Sequence, residues 1–116
     1  MQASNKVIYE LAVRVRNSQA STMPSKYAGA SVACYTIAKR ELDVDLLIEA
    51  VASELEDQGL QFEKSISEVK EIELELWDNY IDGRWGDLPH DLPSATKLKD
   101  VTGYAVYFGP FACFEK

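Results

Sequence analysis

Apolar side chains occupy every second position between Lys6 and Arg16, and this alternation constrains the fold more than any other feature of the chain. The opposite face of the same segment carries Glu10, Arg14 and Arg16. Strict alternation with many β-branched residues predicts a β-strand with one buried face. A sheet is therefore the structure around which the rest of the chain must pack. The residues of the apolar face are Val7, Tyr9, Leu11, Val13 and Val15.

A second strand is predicted at residues 30–40, after a polar connection at residues 17–29 that contains Pro24 and Gly29. Both faces of this segment are fairly apolar. That pattern is typical of a central strand that is covered on both sides, or of a strand that flanks a helix. The two faces consist of Ala33, Tyr35 and Ile37 on one side and Val32, Cys34 and Thr36 on the other.

The period of the apolar pattern changes to that of a helix at residues 43–58. Asp43 is placed to cap the first turn, and Gly59 is placed to end the helix. Leu46 and Ala50 widen the apolar stripe, which should face the sheet. The stripe itself comprises Val44, Leu47, Ile48, Val51 and Leu55.

Alternation returns at residues 60–72, which predicts a third strand, although charged residues interrupt its apolar face. A short amphipathic helix is then predicted at residues 73–83, because aromatic and aliphatic side chains recur at helical spacing. These side chains are Trp77, Tyr80, Ile81 and Trp85.

The last part of the chain predicts one further helical turn and a final strand. Ser94 can cap a turn over residues 94–99. The final strand is predicted at residues 104–108 and continues at residues 111–114. Gly109-Pro110 interrupts it with a bulge or bend, because proline donates no hydrogen bond to a ladder.

This order of elements predicts a single α+β domain spanning residues 1–116. About four strands should form a mostly antiparallel sheet. The helix at residues 43–58 should pack on one face, and one or two short helices should precede the last strand. The order differs from the βαββαβ repeat of ferredoxin-like domains, although a related sandwich is an alternative.

Charge is distributed very unevenly along the chain. The net charge is −7, yet residues 41–91 hold 16 acids and three bases, a balance of −13. Residues 1–40 hold six bases and one acid. A surface dominated by acids repels nucleic acid and anionic lipid and attracts cationic partners. The charge pattern thus predicts no nucleic-acid or membrane binding.

Targeting signals and cysteine usage predict a cytoplasmic protein. No apolar run is long enough to span a membrane, and charges interrupt the N-terminal segment, so no signal peptide is expected. Cys34 and Cys113 both lie in apolar segments and in no metal-binding spacing. Both are predicted to be free, buried thiols.

Catalytic motifs are scarce. His90 is the only histidine, the glycines are scattered, and no nucleophile lies in a recognisable setting. Asp87, His90 and Asp91 provide a set of ligands suited to a divalent cation. A small metal-dependent or small-molecule enzyme using these three residues is therefore an alternative hypothesis. The main prediction assigns no catalytic residue, metal or cofactor.

The segment at residues 76–93 contains both tryptophans, the histidine, four aspartates and two of the four prolines. Trp77 and Tyr80 are predicted to close over the sheet as a satellite core. Trp85 permits a second interpretation, in which it stays partly exposed inside an acidic rim. An aromatic anchor in an acidic rim is typical of a docking site for a basic protein.

The sequence as a whole predicts a small acidic binding protein that engages a basic protein partner. The most concrete form is a bacterial immunity protein or antitoxin that neutralises a toxin, for example a nuclease, whose substrate requires a cationic surface. A structural subunit that pairs through a sheet edge is a further alternative. The predicted partner-binding residues are Glu71, Glu73, Asp78, Asp82, Trp85, Asp87 and Asp91.

Overall fold

The computed structural model describes residues 5–86, 88 and 90–115, and these form one α+β arrangement. The strands are β1 (Lys6–Arg16), β2 (Tyr27–Lys39), β3 (Gln61–Ser65), β4 (Lys70–Glu73) and β5 (Ala105–Glu115). The helices are α1 (Val44–Asp57), α2 (Trp77–Trp85) and α3 (Ala95–Leu98), with a 3-10 turn at Leu74–Leu76 before α2. The predicted fold class is confirmed.

The sheet is antiparallel throughout, with the strand order β3-β1-β2-β5 and with β4 also paired to β1. The prediction of a single strand at residues 60–72 is therefore wrong, because β3 and β4 are separate strands along the same edge of β1. Between them, the Ile66 amide donates to the Ala12 carbonyl, and the Ser67 hydroxyl accepts from the Ala12 amide. The described sheet thus has five strands, and Ile66 is exposed.

One core lies between the sheet and α1. The helix begins at its predicted cap, because the Asp43 side chain accepts a hydrogen bond from the Asp45 amide. Leu47, Val51 and Leu55 are buried against the alternating apolar face of β1. The wide stripe predicted for this helix is wrong at two positions. Val44 and Leu46 are 50% and 55% exposed, because α1 presents only the narrow Leu47–Val51–Leu55 row to the sheet.

A second core lies on the opposite side of the sheet, beneath α2 and α3. Trp77, Ile81 and Leu98 pack against side chains of β1 and β2 that include Tyr35. The Trp77 indole N–H donates to the Pro93 carbonyl at 2.8 Å, which ties the chain after α2 to the core. The structure thus confirms a satellite core for Trp77 and the covering of β2 on both sides.

Several predicted boundaries move, and the helix predicted at residues 73–83 begins only at Trp77, after the 3-10 turn. β2 begins at Tyr27 rather than at residue 30, because the Asn17 side chain donates to the carbonyls of Met23, Pro24 and Tyr27 and folds the preceding loop tightly. α2 extends to Trp85, where Gly86 at φ 52° ends it. β5 starts at Ala105 and continues through its Gly109-Pro110 bulge.

The two cysteines differ in environment. Cys34 is buried as predicted, and burial raises the pKa of its thiol to about 12. The prediction that Cys113 is buried is wrong, because Cys113 is exposed. Its strand, β5, lies at the end of the strand order, so it has a neighbour on only one side among the described residues. Within those residues, none of the helices is both long and apolar enough to cross a membrane.

Candidate functional site

The exposed surface of α1 and its N-terminal flank is acidic. Residues 41–58 contain seven acids and no base. Most of these carboxylates are exposed, because the buried row of α1 occupies the opposite side of the helix. A helix that carries one sign of charge over four turns produces a directional field that attracts cations. The acidic residues are Glu41, Asp43, Asp45, Glu49, Glu54, Glu56 and Asp57.

A groove, here called the β5 groove, runs beside α1 along the edge strand of the sheet. The β5 side chains that face α1 pack against the core but are only partly buried. α1 packs more closely against β3 than against β5, so the side chains of β5 are only partly buried beside it. The floor of the groove consists of Val106, Phe108 and Phe111, and the last two rings lie 6.0 Å apart.

The end of the β5 groove near the start of α1 is a concavity of about 300 Å³. Leu46 and Tyr104 stand on its two sides and are 55% and 59% exposed. Large side chains with this exposure bury well when a partner covers them. Glu49 places a carboxylate on the same wall. The remaining lining residues are Thr36, Leu42, Ala50 and Ser53.

The helix supplies one wall of this concavity through a single stripe. Leu46, Ala50 and Ser53 are spaced i, i+4 and i+7, so they share one flank of α1. Asp57 follows at i+11 and extends the flank to the C-terminal end of α1. The helical period therefore places Leu46 and Ala50 at one end of the wall and the Asp57 carboxylate at the other.

Thr36 lies in this concavity with an unusual environment. The residue is fully buried, and its hydroxyl has no hydrogen-bond partner among the described residues. An unpaired buried hydroxyl destabilises a fold, because no hydrogen bond compensates for its removal from water. The hydroxyl thus lies beneath the surface of the concavity and is not exposed in it.

Replacing Thr36 with valine should raise the free energy of unfolding by about 1 kcal/mol, because a methyl group of similar shape replaces an unpaired hydroxyl. Urea unfolding measures the change. Thr102→Val is the matched control, and the free energy should change little there because Thr102 is exposed. A clear loss of stability in Thr36→Val would mean that the hydroxyl is paired in solution.

Two further concavities lie farther along β5, toward the far end of α1. A concavity of about 460 Å³ lies along residues 106–111 and is bordered by Gln58 on one side and by His90 and Asp91 on the other. A smaller one of about 220 Å³ follows, where Phe111 and Cys113 meet Met23, Pro24 and Leu60. The loop at residues 17–29 therefore closes the groove at this end.

A buried polar network lies on the other side of the sheet. The Glu10 carboxylate, 9% exposed, accepts hydrogen bonds from the hydroxyls of Tyr35 at 2.6 Å and Tyr80 at 2.7 Å. It also pairs with Arg84 Nε at 3.0 Å. The Trp85 indole N–H donates to the Tyr35 hydroxyl at 2.9 Å. This network joins α2 to β1 and β2.

The two tyrosines of this network are held in their neutral form. Burial, followed by the hydrogen bond to Glu10, raises the pKa of Tyr80 to about 12. The same causes, in the same order, raise the pKa of Tyr35 well above its usual value. A tyrosine that stays protonated donates to the carboxylate rather than acting as a base. The arrangement therefore serves to fix α2 on the sheet.

Several residues predicted from sequence to contact a partner are used inside the fold. Trp85 is half-buried, and its ring lies so close to β5 that a Cβ at Gly109 would be 3.2 Å from Trp85 Cζ2. Asp78 accepts a hydrogen bond from the Ala95 amide at 2.9 Å. Glu73 forms two hydrogen bonds with Arg40, at 2.9 and 2.5 Å, which lower the pKa of its carboxyl.

The predicted contact residues also do not form one surface. Glu71 and Glu73 pair with Tyr9 and Val7, so they lie on the α1 side of the sheet at the β4 edge. Asp82 is exposed on α2, on the other side of the sheet, and Asp91 is exposed beside β5. Asp87 lies outside the described residues.

The groove residues Leu46, Tyr104 and Thr36 were not predicted from sequence as contact residues. One available signal was Leu46, which lies at the margin of the apolar stripe of α1. The complete absence of bases from residues 41–58 was a second signal. Counting charge over the longer range of residues 41–91 concealed it.

The proposed metal ligands are only partly described. The His90 ring accepts a hydrogen bond from the Leu92 amide at Nδ1, at 3.2 Å, and both His90 and Asp91 are exposed. Over residues 5–86, 88 and 90–115, no three His, Cys, Asp or Glu side chains are grouped so that they could hold a metal ion. Asp87, the third member of the set, is not among those residues.

Comparisons with known proteins do not place the chain in a family. No protein-family model, curated protein or solved structure matches it. The functional proposal therefore depends on the geometry and charge of the residues described above.

Proposed function

We propose that the protein binds a basic protein partner through the acidic surface of α1 and the adjoining β5 groove. The observation that carries this proposal is the position of exposed Leu46 and Tyr104 around a concavity, directly beside a helix region with seven acids and no base. The most concrete form is an immunity protein or antitoxin that covers the cationic active site of a toxin.

The two parts of this surface would contribute differently to binding. The exposed carboxylates would attract a cationic partner and increase the association rate. The apolar groove would hold the partner after encounter, since buried aromatic and aliphatic anchors at the centre of an interface dominate its stability. Carboxylates on one side of an apolar centre thus suit a partner with a basic surface and a protruding apolar side chain.

The α1 surface is favoured over the α2 loop because its side chains are free to serve a partner. Trp85 and Asp78 are already hydrogen-bonded within the fold, and Glu73 is paired with Arg40. A partner that used them would first have to disrupt those contacts. Leu46 and Tyr104 are more than half exposed.

The partner can be identified by cross-linking from the groove itself. A benzophenone side chain at position 46 should capture a basic protein from an extract of the source cells, and mass spectrometry then identifies it. The same probe at Leu76, which is 56% exposed on the other side of the sheet, is the control. Equal capture from both positions would contradict a specific docking groove.

Charge reversal then tests which surface steers the identified partner. Glu49→Lys should slow association about tenfold at low salt and flatten its salt dependence, because the change replaces an exposed negative charge beside the groove with a positive one. Asp82→Lys is the matched control, since it makes the same change on an exposed position of α2. Stopped-flow association measures both variants.

Two results would overturn the assignment. A larger effect of Asp82→Lys than of Glu49→Lys would place the docking surface on the α2 side, as the sequence predicted. Association rates that do not depend on salt, with both variants equal to the parent, would mean that the acidity serves solubility alone.

A further inference from the structure

The outer edge of β5 is a second unusual surface. β5 is 11 residues long, and no strand among the described residues pairs with its outer side. Residues 105–114 of this strand carry no charged side chain. An exposed, long and apolar edge leaves a row of backbone donors and acceptors that can pair with another strand.

The opposite edge of the sheet carries the usual protections against such pairing. β3 and β4 have five and four residues, and a break at residues 66–69 separates them. Charged side chains, such as Lys64 and Glu71, interrupt both strands. Short strands, breaks and charges all discourage edge pairing. β5 is therefore longer than β3 or β4, and it carries no charged side chain before Glu115.

Only part of the β5 edge is open to a new strand. Gly109-Pro110 forms a bulge, because Phe108 and Phe111 pair with Cys34 and Val32 and leave two residues opposite Ala33. Proline donates no backbone hydrogen bond, which limits pairing in the middle of the edge. His90 and Asp91 border the strand at residues 106–111. Beyond the bulge, Met23 and Pro24 lie beside Phe111 and Cys113, but none of the described strands pairs with the outer side of residues 111–115.

From this edge we infer that two copies of the chain pair through residues 111–115 of β5, antiparallel and centred on Cys113, to form one continuous sheet. The open segment carries no charge up to Phe114. It therefore has no side chain that would attract a charged partner, and it does not repel an identical strand. Ala112 and Cys113 are exposed, and Phe111 and Phe114 are partly exposed, so pairing buries apolar surface on both copies.

The symmetry of the pair follows from the alternation of the strand. A two-fold axis perpendicular to the sheet keeps α1 of both copies on the same side, since opposite residues of an antiparallel pair share a face. Cys113 then lies opposite its counterpart. The end of the β5 groove at Leu46 and Tyr104 remains open, so this inference is independent of the proposed docking function.

Sedimentation velocity over a range of protein concentrations tests the pairing. The parent chain should shift from monomer to dimer as the concentration rises, and Ala112→Lys should remain a monomer because lysine on an edge prevents strand pairing. Leu76→Lys is the control at an exposed apolar position away from the edge, and it should dimerise like the parent. A monomeric parent at all concentrations would overturn the inference, as would loss of the dimer in Leu76→Lys alone.

Oxidation with diamide provides a second test that depends on geometry. Cα atoms directly opposite in an antiparallel pair are about 4.5–5.5 Å apart, which suits a disulfide. The parent and Cys34→Ser should therefore form a covalent dimer, while Cys113→Ser should not. Ala112→Lys retains Cys113 and controls for collisions, so it should cross-link much less. Equal cross-linking in Ala112→Lys and the parent would contradict the proposed register.

Discussion

Replacing Glu10 with alanine is expected to lower the free energy of unfolding by about 3 kcal/mol. The buried carboxylate accepts from two tyrosine hydroxyls and pairs with Arg84, and all three groups lose this carboxylate as a partner in the variant. Removing one member of a buried network leaves the others desolvated and unpaired. The Arg84 side chain is 42% exposed, so water can replace part of its loss, which keeps the expected change near the lower end of the range for buried pairs.

Two controls separate this network from ordinary surface pairing. Glu10→Gln retains an acceptor for one tyrosine and should cost less than the alanine variant. Glu63→Ala also removes a glutamate that pairs with arginines, Arg14 and Arg16, but the Glu63 side chain is 26% exposed, whereas that of Glu10 is 11% exposed. The free energy should change there by about 1 kcal/mol or less. Urea unfolding of the three variants measures these differences, and equal losses for Glu10→Ala and Glu63→Ala would show that the network contributes nothing beyond a surface pair.

Replacing Leu47 with alanine should lower the free energy of unfolding by about 2–5 kcal/mol, because the change leaves a cavity in the core between α1 and the sheet. Leu47 is 1% exposed and is one of the largest fully buried side chains. The adjacent residue provides a close control, since Leu46 is 55% exposed on the same helix. Leu46→Ala should change stability by about 0.5 kcal/mol or less.

The leucine pair also tests the division of α1 into a core side and a groove side. Partner binding should weaken in Leu46→Ala, although the stability of the free protein is nearly unchanged. A stability loss of similar size in both variants would indicate that both sides of α1 face the core. The groove would then lack one of its walls.

The elements of this protein could be predicted from sequence because their signals are local. Alternation identified β1, helical spacing identified the row of Leu47, Val51 and Leu55, and Asp43 marked the start of α1. The α+β class and the satellite core around Trp77 followed from the order of these signals. The charge imbalance is likewise a property of the sequence alone.

The candidate site could be predicted only in part. Sequence reasoning identified an acidic central block and an aromatic loop, but it could not see that Trp85 donates to Tyr35, fifty positions away. Sequence reasoning also could not predict that Glu73 accepts hydrogen bonds from Arg40. Such pairings depend on which elements meet in three dimensions, and periodicity carries no information about that.

The sequence by itself thus determined which segments become strands and helices, which face of each is apolar, and how charge is divided along the chain. The tertiary structure alone decided the lateral arrangement. It put β5 at an edge, which exposes Cys113, and it set α1 toward β3, which exposes Leu46 and opens the β5 groove. The physical reason is that the period of the apolar pattern shows which face of a segment is buried. The final exposure of a residue also depends on whether a neighbouring element lies beside it.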